Sequence, residues 1–313
     1  MRECLVTIDL GGSTVRMALV DLDSATMMES MSIDLDKDTG PLQAISQMAG
    51  VISNWEQLAQ SEIRGIVAGL AALHDASGTI VTWPNRPEWN GFAFRDTFAA
   101  LVGKPIVLFD DANLGALGEY AFGLDHSVQQ LLYVVVGTGI GSSLVLQGNL
   151  YTGARGASGE LGHITVDPWG ERCPCGGIGC LQMYASGRAM ERIAKSKGLS
   201  ITRASEVFHL ASQGNETAQW IVTDSLRMLA IGIANAIRLF DPEVVVVGGG
   251  MASRFPDHYR SLEKHIQDFL GTLPQRNVSV KLSALGEDAA LWGGIAYALR
   301  MFGKIKELEG VRK

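Results

Sequence analysis

The sequence predicts an α/β protein built from two lobes, and three observations support this fold class. The chain has 313 residues, which exceeds one small domain and suits two lobes of ordinary size. Apolar runs of strand length alternate with helical patterns, as in sheets covered by helices. The segments "TIDLGGSTVRMALVD" and "VVVGTGIGSSLVLQG" both read as two strands joined by a glycine-rich turn, so each lobe is expected to contain the same device.

The first lobe is predicted to comprise residues 1–118 together with 288–313. Its sheet begins with the strands "CLVTIDL" and "VRMALVDLD" on either side of the turn "GGST". A helix is expected over residues 41–60, where apolar residues recur at helical spacing. The strands "IRGIVAGL" and "KPIVLFDD", the helix "ANLGALGEYAF" and a last helix over residues 288–302 complete this lobe.

The second lobe is predicted over residues 119–287 and opens with the strand pair "LLYVVVGTGIGSSLVLQG". The remaining elements follow in the order helix over 184–197, helix over 202–213, long helix from Asn215 to Phe240, strand "PEVVVVGGG", helix over 256–270 and strand over 277–284. Asn215 is a suitable N-cap for the long helix, since its side chain can accept from a free backbone N–H. The alternation predicts mostly parallel central sheets in both lobes.

Composition narrows the classes of protein that the chain can represent. Hydrophobic residues make up 47% and charged residues 19%, which is ample material for a buried core. The net charge of −7 argues against a nucleic-acid surface, because phosphate binding needs clustered Lys and Arg. The start "MRECLVTIDLGG" does not resemble a signal peptide, and we find no apolar stretch near the roughly 20 residues that span a bilayer. We therefore expect a cytoplasmic protein that binds neither nucleic acid nor membrane.

Three of the four cysteines lie within eight positions and follow a histidine. Without an export signal the thiols are expected to stay reduced, so a disulfide framework is not predicted. Tetrahedral Zn²⁺ takes three thiolates and one imidazole, and four protein ligands leave no position open for catalysis. The spacing therefore predicts a structural zinc loop with the ligands His163, Cys173, Cys175 and Cys180. The alternative is three buried, unligated cysteines beside an unrelated histidine.

Two glycine-rich turns and the run "GGG" at 248–250 indicate phosphate binding. Such turns leave backbone N–H groups bare and can cradle an anion. Neither turn matches a Walker A motif or a dinucleotide fingerprint. Together they predict a nucleotide in a cleft between similar lobes, whereas the alternative is that all three are ordinary tight turns.

Several motifs of the chain match those of a known protein family. The chain resembles the ROK family of bacterial sugar kinases and regulators, within the actin-like ATPase superfamily, through "DLGGSTVR", "DDANLGALGE", "GASGELGHITVD", "CPCGGIGCLQMYASG" and "DPEVVVVGGG". The E-x-G-H and C-x-C-G-x-x-G-C motifs occur together and in order, and the match runs nearly end to end. The resemblance implies two ribonuclease-H-like lobes with ATP in an interlobe cleft and a hexose near the hinge. Relatives are often dimers, so a homodimer is expected by analogy.

The resemblance implies that Asp111 is the general base for phosphoryl transfer to a sugar hydroxyl. Asp111 follows the predicted strand at 105–109, at the sheet edge where α/β proteins bind ligands. An ordinary aspartate, with a pKa of about 3.9, is ionised at neutral pH, so we expect position to matter more than pKa tuning. The alternative is an N-cap of the following helix.

The resemblance also implies which residues contact the sugar. These are Asn85, Asp110, Glu160, His163 and Gln182. One ring nitrogen of His163 would bind Zn²⁺ and the other a sugar hydroxyl, so the metal would hold one wall of the pocket. Three departures from the family pattern affect the expected sugar: Asp110 replaces the usual asparagine, Gln182 replaces the usual glutamate, and residues 69–72 read "GLAA" instead of G-x-P-G.

For the nucleotide, Asp9 is the candidate ligand of Mg²⁺, which takes one or two carboxylates plus substrate phosphates. A solvated turn carboxylate is the alternative role for Asp9. The expected contacts to ATP are Gly11, Gly12, Ser13, Thr14, Gly137, Thr138, Gly139, Gly248, Gly249 and Gly250.

The sequence thus predicts an ATP-dependent hexose kinase that transfers the γ-phosphoryl group to a primary hydroxyl, O6 of a glucose-type sugar. N-acetylmannosamine or N-acetylglucosamine is the alternative substrate. A sugar-sensing protein without catalysis is the alternative from another class. ROK regulators carry a helix-turn-helix domain ahead of the first phosphate turn, and only eight residues precede Asp9 here, so the kinase is favoured.

Overall fold

The computed structural model of the chain describes residues 2–59 and 61–301. The described residues form two compact units. Unit 1 takes in the described part of Met1–Phe122 and Asp288–Lys313, and unit 2 takes in Gly123–Glu287.

The strands of unit 1 are β1 (Arg2–Leu10), β2 (Thr14–Asp21), β3 (Thr26–Asp34), β4 (Ser61–Leu70), β5 (Leu73–His74), β6 (Ile80–Thr82) and β7 (Ile106–Asp110). The strands of unit 2 are β8 (Gln130–Val136), β9 (Ile140–Leu146), β10 (Asn149–Tyr151), β11 (Val244–Gly248) and β12 (Ser279–Leu282). Each unit therefore holds a five-stranded sheet, and β5 and β6 form a separate small ribbon.

The first helices are α1 (Pro41–Ala59), α2 (Phe94–Val102) and α3 (Asp111–Gly118), and all three belong to unit 1. Unit 2 contributes α4 (Gln182–Ala185), α5 (Gly187–Ser196), α6 (Ala204–Ser212), α7 (Glu216–Phe240), α8 (Gly250–Arg254), α9 (Pro256–Tyr259) and α10 (Leu262–Leu270). The chain then returns to unit 1 with α11 (Ala289–Met301).

Both sheets are mixed, which corrects the expectation of mostly parallel sheets. Unit 1 has the order β3-β2-β1-β4-β7, and unit 2 has the order β10-β9-β8-β11-β12. The three sequential strands on one side of each sheet are antiparallel, and the pairs on the other side are parallel. The cause is the pair of short turns, since a tight turn can join only antiparallel strands. The parallel half of unit 1 brings the carboxyl ends of β1, β4 and β7 to one edge.

Helices α3 and α11 pack closely in unit 1 because glycines lie at their contact. A Cβ on Gly293 would overlap the backbone of Leu114, and one on Gly118 would overlap the backbone of Ala289. The contact fixes α3, and α3 begins at the predicted base Asp111. Glycine here is therefore part of what positions the site.

Helix α7 is the centre of the core of unit 2. Asn215 caps it as predicted, because its side chain accepts a hydrogen bond from the N–H of Ala218 over 2.9 Å. In the part of the chain that the structure describes, α7 is the one helix long and apolar enough to span a membrane. Its own residues Leu229, Ile233 and Ile237 belong to the buried hydrophobic core of the unit, as expected for a core helix.

Three predicted helices differ in their boundaries. The helix expected over 184–197 begins at Gln182 and is interrupted at Ser186, between α4 and α5. The helix expected over 256–270 is broken at Arg260 and Ser261 into α9 and α10. The helix expected at "ANLGALGEYAF" begins one residue earlier, at Asp111, and its last residues form a π-helical turn over Glu119–Gly123. Part of the predicted helix 41–60 and of the last helix, 288–302, lies outside the described residues.

Candidate active site and cysteine cluster

Asp9 lies near the end of β1 and is 8% exposed. Its carboxylate forms an ion pair with Arg16, which is its partner in the antiparallel register of β1 and β2. Arg16 also approaches Asp288, with 3.5 Å between Nη1 and Oδ1. Asp9 is thus a buried, paired carboxylate and not a solvated turn residue. Arg16 was not predicted as a site residue, although its place across the hairpin from Asp9 could have indicated it.

One N–H group of the first glycine turn is hydrogen-bonded within the turn itself. Gly11 N–H donates to the carbonyl oxygen of Thr14 over 2.9 Å, which closes the turn. The expectation that this amide faces a phosphate is therefore corrected, because the group is already used. The carbonyl of Ser13 accepts from the N–H of Leu35 over 2.8 Å, so the turn is also tied to the segment that follows β3.

Asp110 and Asp111 converge on one backbone donor. Asp110 is the N-cap of α3, and its Oδ1 accepts from Ala112 N–H over 2.9 Å. Asp111 is the first residue of the helix, and its own Oδ1 accepts from the same N–H over 2.8 Å. The role of N-cap, considered for Asp111, therefore belongs to Asp110.

Burial and two nearby carboxyl groups, those of Asp110 and Asp9, raise the proton affinity of Asp111. Burial raises the pKa of Asp111 well above its ordinary value, and the negative charges of Asp110 and Asp9 raise it further. The hydrogen bond from Ala112 opposes this effect but does not overcome it. The expectation of an unperturbed aspartate is therefore wrong.

Asn85 packs directly on the first glycine turn. A Cβ placed on Gly12 would lie 2.9 Å from the Cβ of Asn85, so only glycine allows this approach. The next residue, Arg86, is buried and donates from Nε to the carbonyl oxygen of Gly12 over 2.8 Å. The structure thus brings Asn85 and Gly12 together, and sequence analysis missed the arginine beside them.

The second glycine turn joins β8 and β9 in unit 2. Gly137 N–H donates to the carbonyl oxygen of Gly139 over 3.0 Å, so this amide is also hydrogen-bonded within its own turn. The carbonyl of Gly137 accepts from Gly187 N–H over 2.8 Å, and that of Thr138 accepts from Arg188 N–H over 3.4 Å. The first residues of α5 therefore hold this turn.

The glycine run 248–250 lies at the end of β11 and packs against β8. Gly249 has φ +87, and a Cβ there would lie 2.6 Å from the carbonyl oxygen of Val136. A Cβ on Gly248 would lie 2.7 Å from the hydroxyl oxygen of Tyr133. Because Val136 directly precedes the second turn, the structure brings the glycine run and that turn together within unit 2.

The E-x-G-H segment lies against β9. A side chain at Gly159 or Gly162 would overlap the backbone carbonyls of Ser142 and Ile140, so both glycines permit this close packing. Glu160 and His163 follow one another at i and i+3, with 3.8 Å between Oε2 and Nε2. The other ring nitrogen of His163, Nδ1, lies 3.8 Å from Sγ of Cys173. The two nitrogens thus face different side chains, Nδ1 that of Cys173 and Nε2 that of Glu160.

The four predicted metal ligands converge. The ligand atoms of His163, Cys173, Cys175 and Cys180 all lie within 4.8 Å of one another. Sγ of Cys175 and Sγ of Cys180 are 3.7 Å apart, and no disulfide joins the four cysteines of the chain. Tetrahedral zinc with Zn–S bonds of about 2.3 Å requires sulfur–sulfur distances of about 3.8 Å. The donor set and its spacing therefore fit a tetrahedral metal ion.

The thiols of this cluster have unequal proton affinities. Burial raises the pKa of Cys180 to about 12, and its hydrogen bonds with Cys175 and Cys173 act in the same direction. Burial also acts to raise the pKa of Cys173, but hydrogen bonds from the backbone of Cys175 and from Gln182 outweigh it and lower the pKa. Metal binding at such a cluster must displace protons from the remaining thiols.

Gln182 connects the cysteine cluster with the second glycine turn. Its Nε2 donates to Sγ of Cys173 over 3.3 Å. Its Oε1 lies 3.5 Å from the point where a Cβ on Gly139 would stand. Gln182 is predicted to contact the sugar, and its contact with Cys173 was not foreseen from the sequence.

The family model of the ROK family matches residues 5–301. The chain therefore belongs to the ROK family, as its motifs predict. Its fold is the α/β fold of ROK sugar kinases, because a ROK hexokinase from Thermus thermophilus superposes with a TM-score of 0.83 at 31% identity. That superposition covers 96% of this chain and 99% of the other.

Relatives of different activity resemble this chain to the same degree. A glucokinase from Thermotoga maritima is 30% identical over 92% of this chain and 95% of its own length. A putative xylose repressor from a Caldicellulosiruptor species is also 30% identical, over 94% of this chain and 78% of its own length. A ROK glucokinase from Streptomyces griseus, solved with glucose and AMPPNP, has a TM-score of 0.80 at 25% identity over 95% of this chain and 99% of the other.

Proposed function

We propose that this protein is an ATP-dependent hexose kinase that phosphorylates O6 of a glucose-type sugar. The proposal rests on the position of the carboxyl group of Asp111. It lies at the carboxyl end of β7, and the charge of Asp9 is near enough to raise its pKa. A proton acceptor beside a candidate Mg²⁺ ligand is what phosphoryl transfer to an alcohol requires.

Asp111 takes up the proton of the sugar hydroxyl as that oxygen bonds to the γ-phosphorus. The bond between the γ-phosphorus and the bridging oxygen breaks, and its electron pair leaves with ADP. Because its pKa is raised, Asp111 is a stronger base than an ordinary aspartate once it is ionised. Asp110 caps α3 and holds its carboxylate beside the base.

Asp9 would hold Mg²⁺, which neutralises phosphate charge when it is bound. Arg16 keeps the Asp9 side chain in one orientation through their ion pair. The N–H groups of Gly12, Ser13, Thr14, Thr138 and Gly139 remain the proposed phosphate contacts, with Gly248, Gly249 and Gly250 on the adenosine side. Backbone amides suit this task because they bind phosphate oxygens without adding a charge.

The hexose contacts are assigned to Asn85, Asp110, Glu160, His163 and Gln182. Carboxylates accept from pairs of ring hydroxyls, and amides can both donate and accept. Glucose is the first candidate, as the similarity to glucokinases supports. An N-acylhexosamine such as N-acetylmannosamine or N-acetylglucosamine is the alternative, because Asp110 and Gln182 both depart from the family pattern.

We further propose that His163, Cys173, Cys175 and Cys180 hold a structural zinc ion. The convergence of the four ligand atoms supports this assignment. With all four positions filled by protein, the ion would hold His163 and leave the phosphoryl transfer to other residues. The check is metal analysis of purified protein, for which we expect one zinc per chain, and the Cys175→Ser variant should lose the metal, thermal stability and sugar affinity together.

A sugar-binding protein without turnover is the second candidate, and the similarity to a xylose repressor favours testing it. The experiment is an ADP-release assay with ATP and Mg²⁺ over a panel of hexoses and N-acylhexosamines, run beside calorimetric measurement of sugar binding. The kinase assignment expects sugar-dependent ADP release that Asp111→Asn abolishes. Sugar binding without ADP release for any member of the panel would overturn it in favour of the sensor.

A further inference from the structure

Arg86 is a buried cation whose hydrogen bonds go to the backbone. The residue is 2% exposed, and Nε donates to the carbonyl oxygen of Gly12 over 2.8 Å. Its terminal nitrogens donate to three carbonyl oxygens of the segment after β3, those of Leu35, Asp36 and Thr39. The carboxylate of Glu88 approaches to 3.7 Å and is itself 48% exposed.

A guanidinium group is costly to bury unless its donors are satisfied by well-placed acceptors. Here four backbone carbonyls supply them, and the ring of Trp89 lies 5.5 Å from the guanidinium carbon. An apolar side chain would fill the same space without this cost. The planar guanidinium of Arg86 therefore serves to hold two separate stretches of backbone, the first glycine turn and the segment after β3, in one geometry.

Because the peptide bond is planar, a fixed carbonyl of Gly12 also fixes the N–H of Ser13. In a trans peptide the C=O of one residue and the N–H of the next point in opposite directions. Arg86 holds the carbonyl of Gly12 inward, so the N–H of Ser13 is directed outward, and Ser13 is exposed. The carbonyl of Ser13 is held as well, by the N–H of Leu35.

We propose that Arg86 is the positioning residue of the first phosphate turn: by fixing the Gly12 carbonyl, it aims the Ser13 N–H at the terminal phosphates of the nucleotide. The inference rests on the proposed function, which assigns phosphate to this turn. Arg86 itself touches no substrate in this role.

The sugar-side residue Asn85 does not depend on the Arg86 side chain for its backbone position. Arg86 N–H donates to the carbonyl of Trp83, and Trp89 N–H donates to the carbonyl of Arg86, both over 3.0 Å. These bonds persist when only the side chain is changed. Loss of the guanidinium should therefore weaken nucleotide binding and leave hexose binding nearly unchanged.

The test is Arg86→Lys, which keeps the charge but loses the planar fork that reaches the Gly12 carbonyl. We expect KM for ATP and the dissociation constant of AMPPNP to rise about tenfold, because the Ser13 N–H is no longer held in the orientation that binds phosphate. KM for the hexose should stay within about twofold of wild type. Arg95→Lys is the matched control, since Arg95 also donates to a backbone carbonyl, that of Ala76, but is partly exposed.

A second measurement covers the possibility that Arg86→Lys does not fold. In the wild-type protein, AMPPNP should slow amide hydrogen exchange in the peptide that contains Ser13, and unchanged exchange despite bound AMPPNP would overturn the role. Unchanged nucleotide affinity in folded Arg86→Lys, or an equal rise in both KM values, would also overturn it while leaving the kinase intact. A wild-type protein that binds no nucleotide would instead overturn the proposed function, and this inference with it.

Discussion

The side-chain amide of Gln182 donates a hydrogen bond to Sγ of Cys173, and the two atoms lie 3.3 Å apart. An N–H group beside a thiolate stabilises its negative charge, and the pKa of Cys173 is lowered although burial acts against this. The contact makes Gln182 an outer partner of the proposed metal ligands. Such partners orient the ligand and tune its affinity for the ion.

Gln182→Glu should therefore weaken metal binding. A carboxylate has no N–H to donate, and its charge repels the thiolate of Cys173. We expect zinc affinity to fall about tenfold or more, measured by competition with a chromophoric chelator. Gln213→Glu is the control, because Gln213 lies in an exposed position at the end of α6. Equal zinc affinity of both variants and the wild type would exclude this role for Gln182.

Asp111→Asn should abolish turnover while sugar binding stays within about threefold of wild type. The amide keeps the shape of the side chain but cannot accept the proton, and loss of a general base typically costs 10²–10⁴-fold in rate. The measurements are kcat from ADP release and calorimetric hexose affinity. Asp257→Asn, at an exposed position of α9, serves as the control. A near-normal kcat for Asp111→Asn would show that the base lies elsewhere.

Asp110→Asn should move the acidic limb of the pH profile of kcat/KM to lower pH. The proposed mechanism requires ionised Asp111, whose pKa is raised by burial first and then by the charges of Asp110 and Asp9. Removal of the Asp110 charge lowers this pKa, while Asp9 and its partner Arg16 stay in place. The profile is measured from about pH 4 to pH 9 at saturating ATP. An unmoved limb would mean that another group controls it.

Asp111→Asn should also stabilise the fold at neutral and higher pH. A carboxyl group with a raised pKa in the folded state favours the protonated form, so its contribution is present below the ordinary pKa of 3.8 and is lost as pH rises through the raised value. Asparagine avoids this loss. We expect a higher Tm than wild type at pH 8 and a smaller difference at pH 4. A Tm difference that is independent of pH would contradict the raised pKa.

Gly293→Ala should destabilise unit 1 strongly. The new methyl group would overlap the backbone of Leu114 and push α3 away from α11. Overpacking of this kind costs about 1–3 kcal/mol or more, seen as a lower midpoint of denaturant unfolding. The matched control is Gly50→Ala in α1, where a Cβ meets nothing within 4 Å. That change should be neutral or stabilise by up to about 1 kcal/mol, through helix propensity.

Several features of the molecule could be predicted because they depend on short stretches of sequence. Three features depend on spacing over at most about 20 residues. They are the position of Asp111 at the end of a strand, the cap at Asn215 and the convergence of the three thiols. Each is specified by turn geometry or helix termini, which the local sequence controls. The mixed sheets were not foreseen, although each short glycine turn already required an antiparallel pair.

Other features have no local signal. Arg86 and Gly12 are 74 residues apart, and nothing near either of them indicates their hydrogen bond. The pKa of Asp111 is raised by burial, by the charge of Asp110 and by that of Asp9, which belongs to another strand of the sheet. Neither effect exists until distant segments are packed together and water is removed from between them.

The amino-acid sequence by itself therefore determined the α/β class, the paired glycine turns, the ROK family and the set of four converging metal-type ligands. Short-range geometry and residue chemistry are sufficient for these features. Only the tertiary structure decided that Arg86 donates to the carbonyl of Gly12, that Gln182 donates to Cys173 and that the pKa of Asp111 is raised. These depend on desolvation and on charges brought together from distant parts of the chain, which arise from folding as a whole.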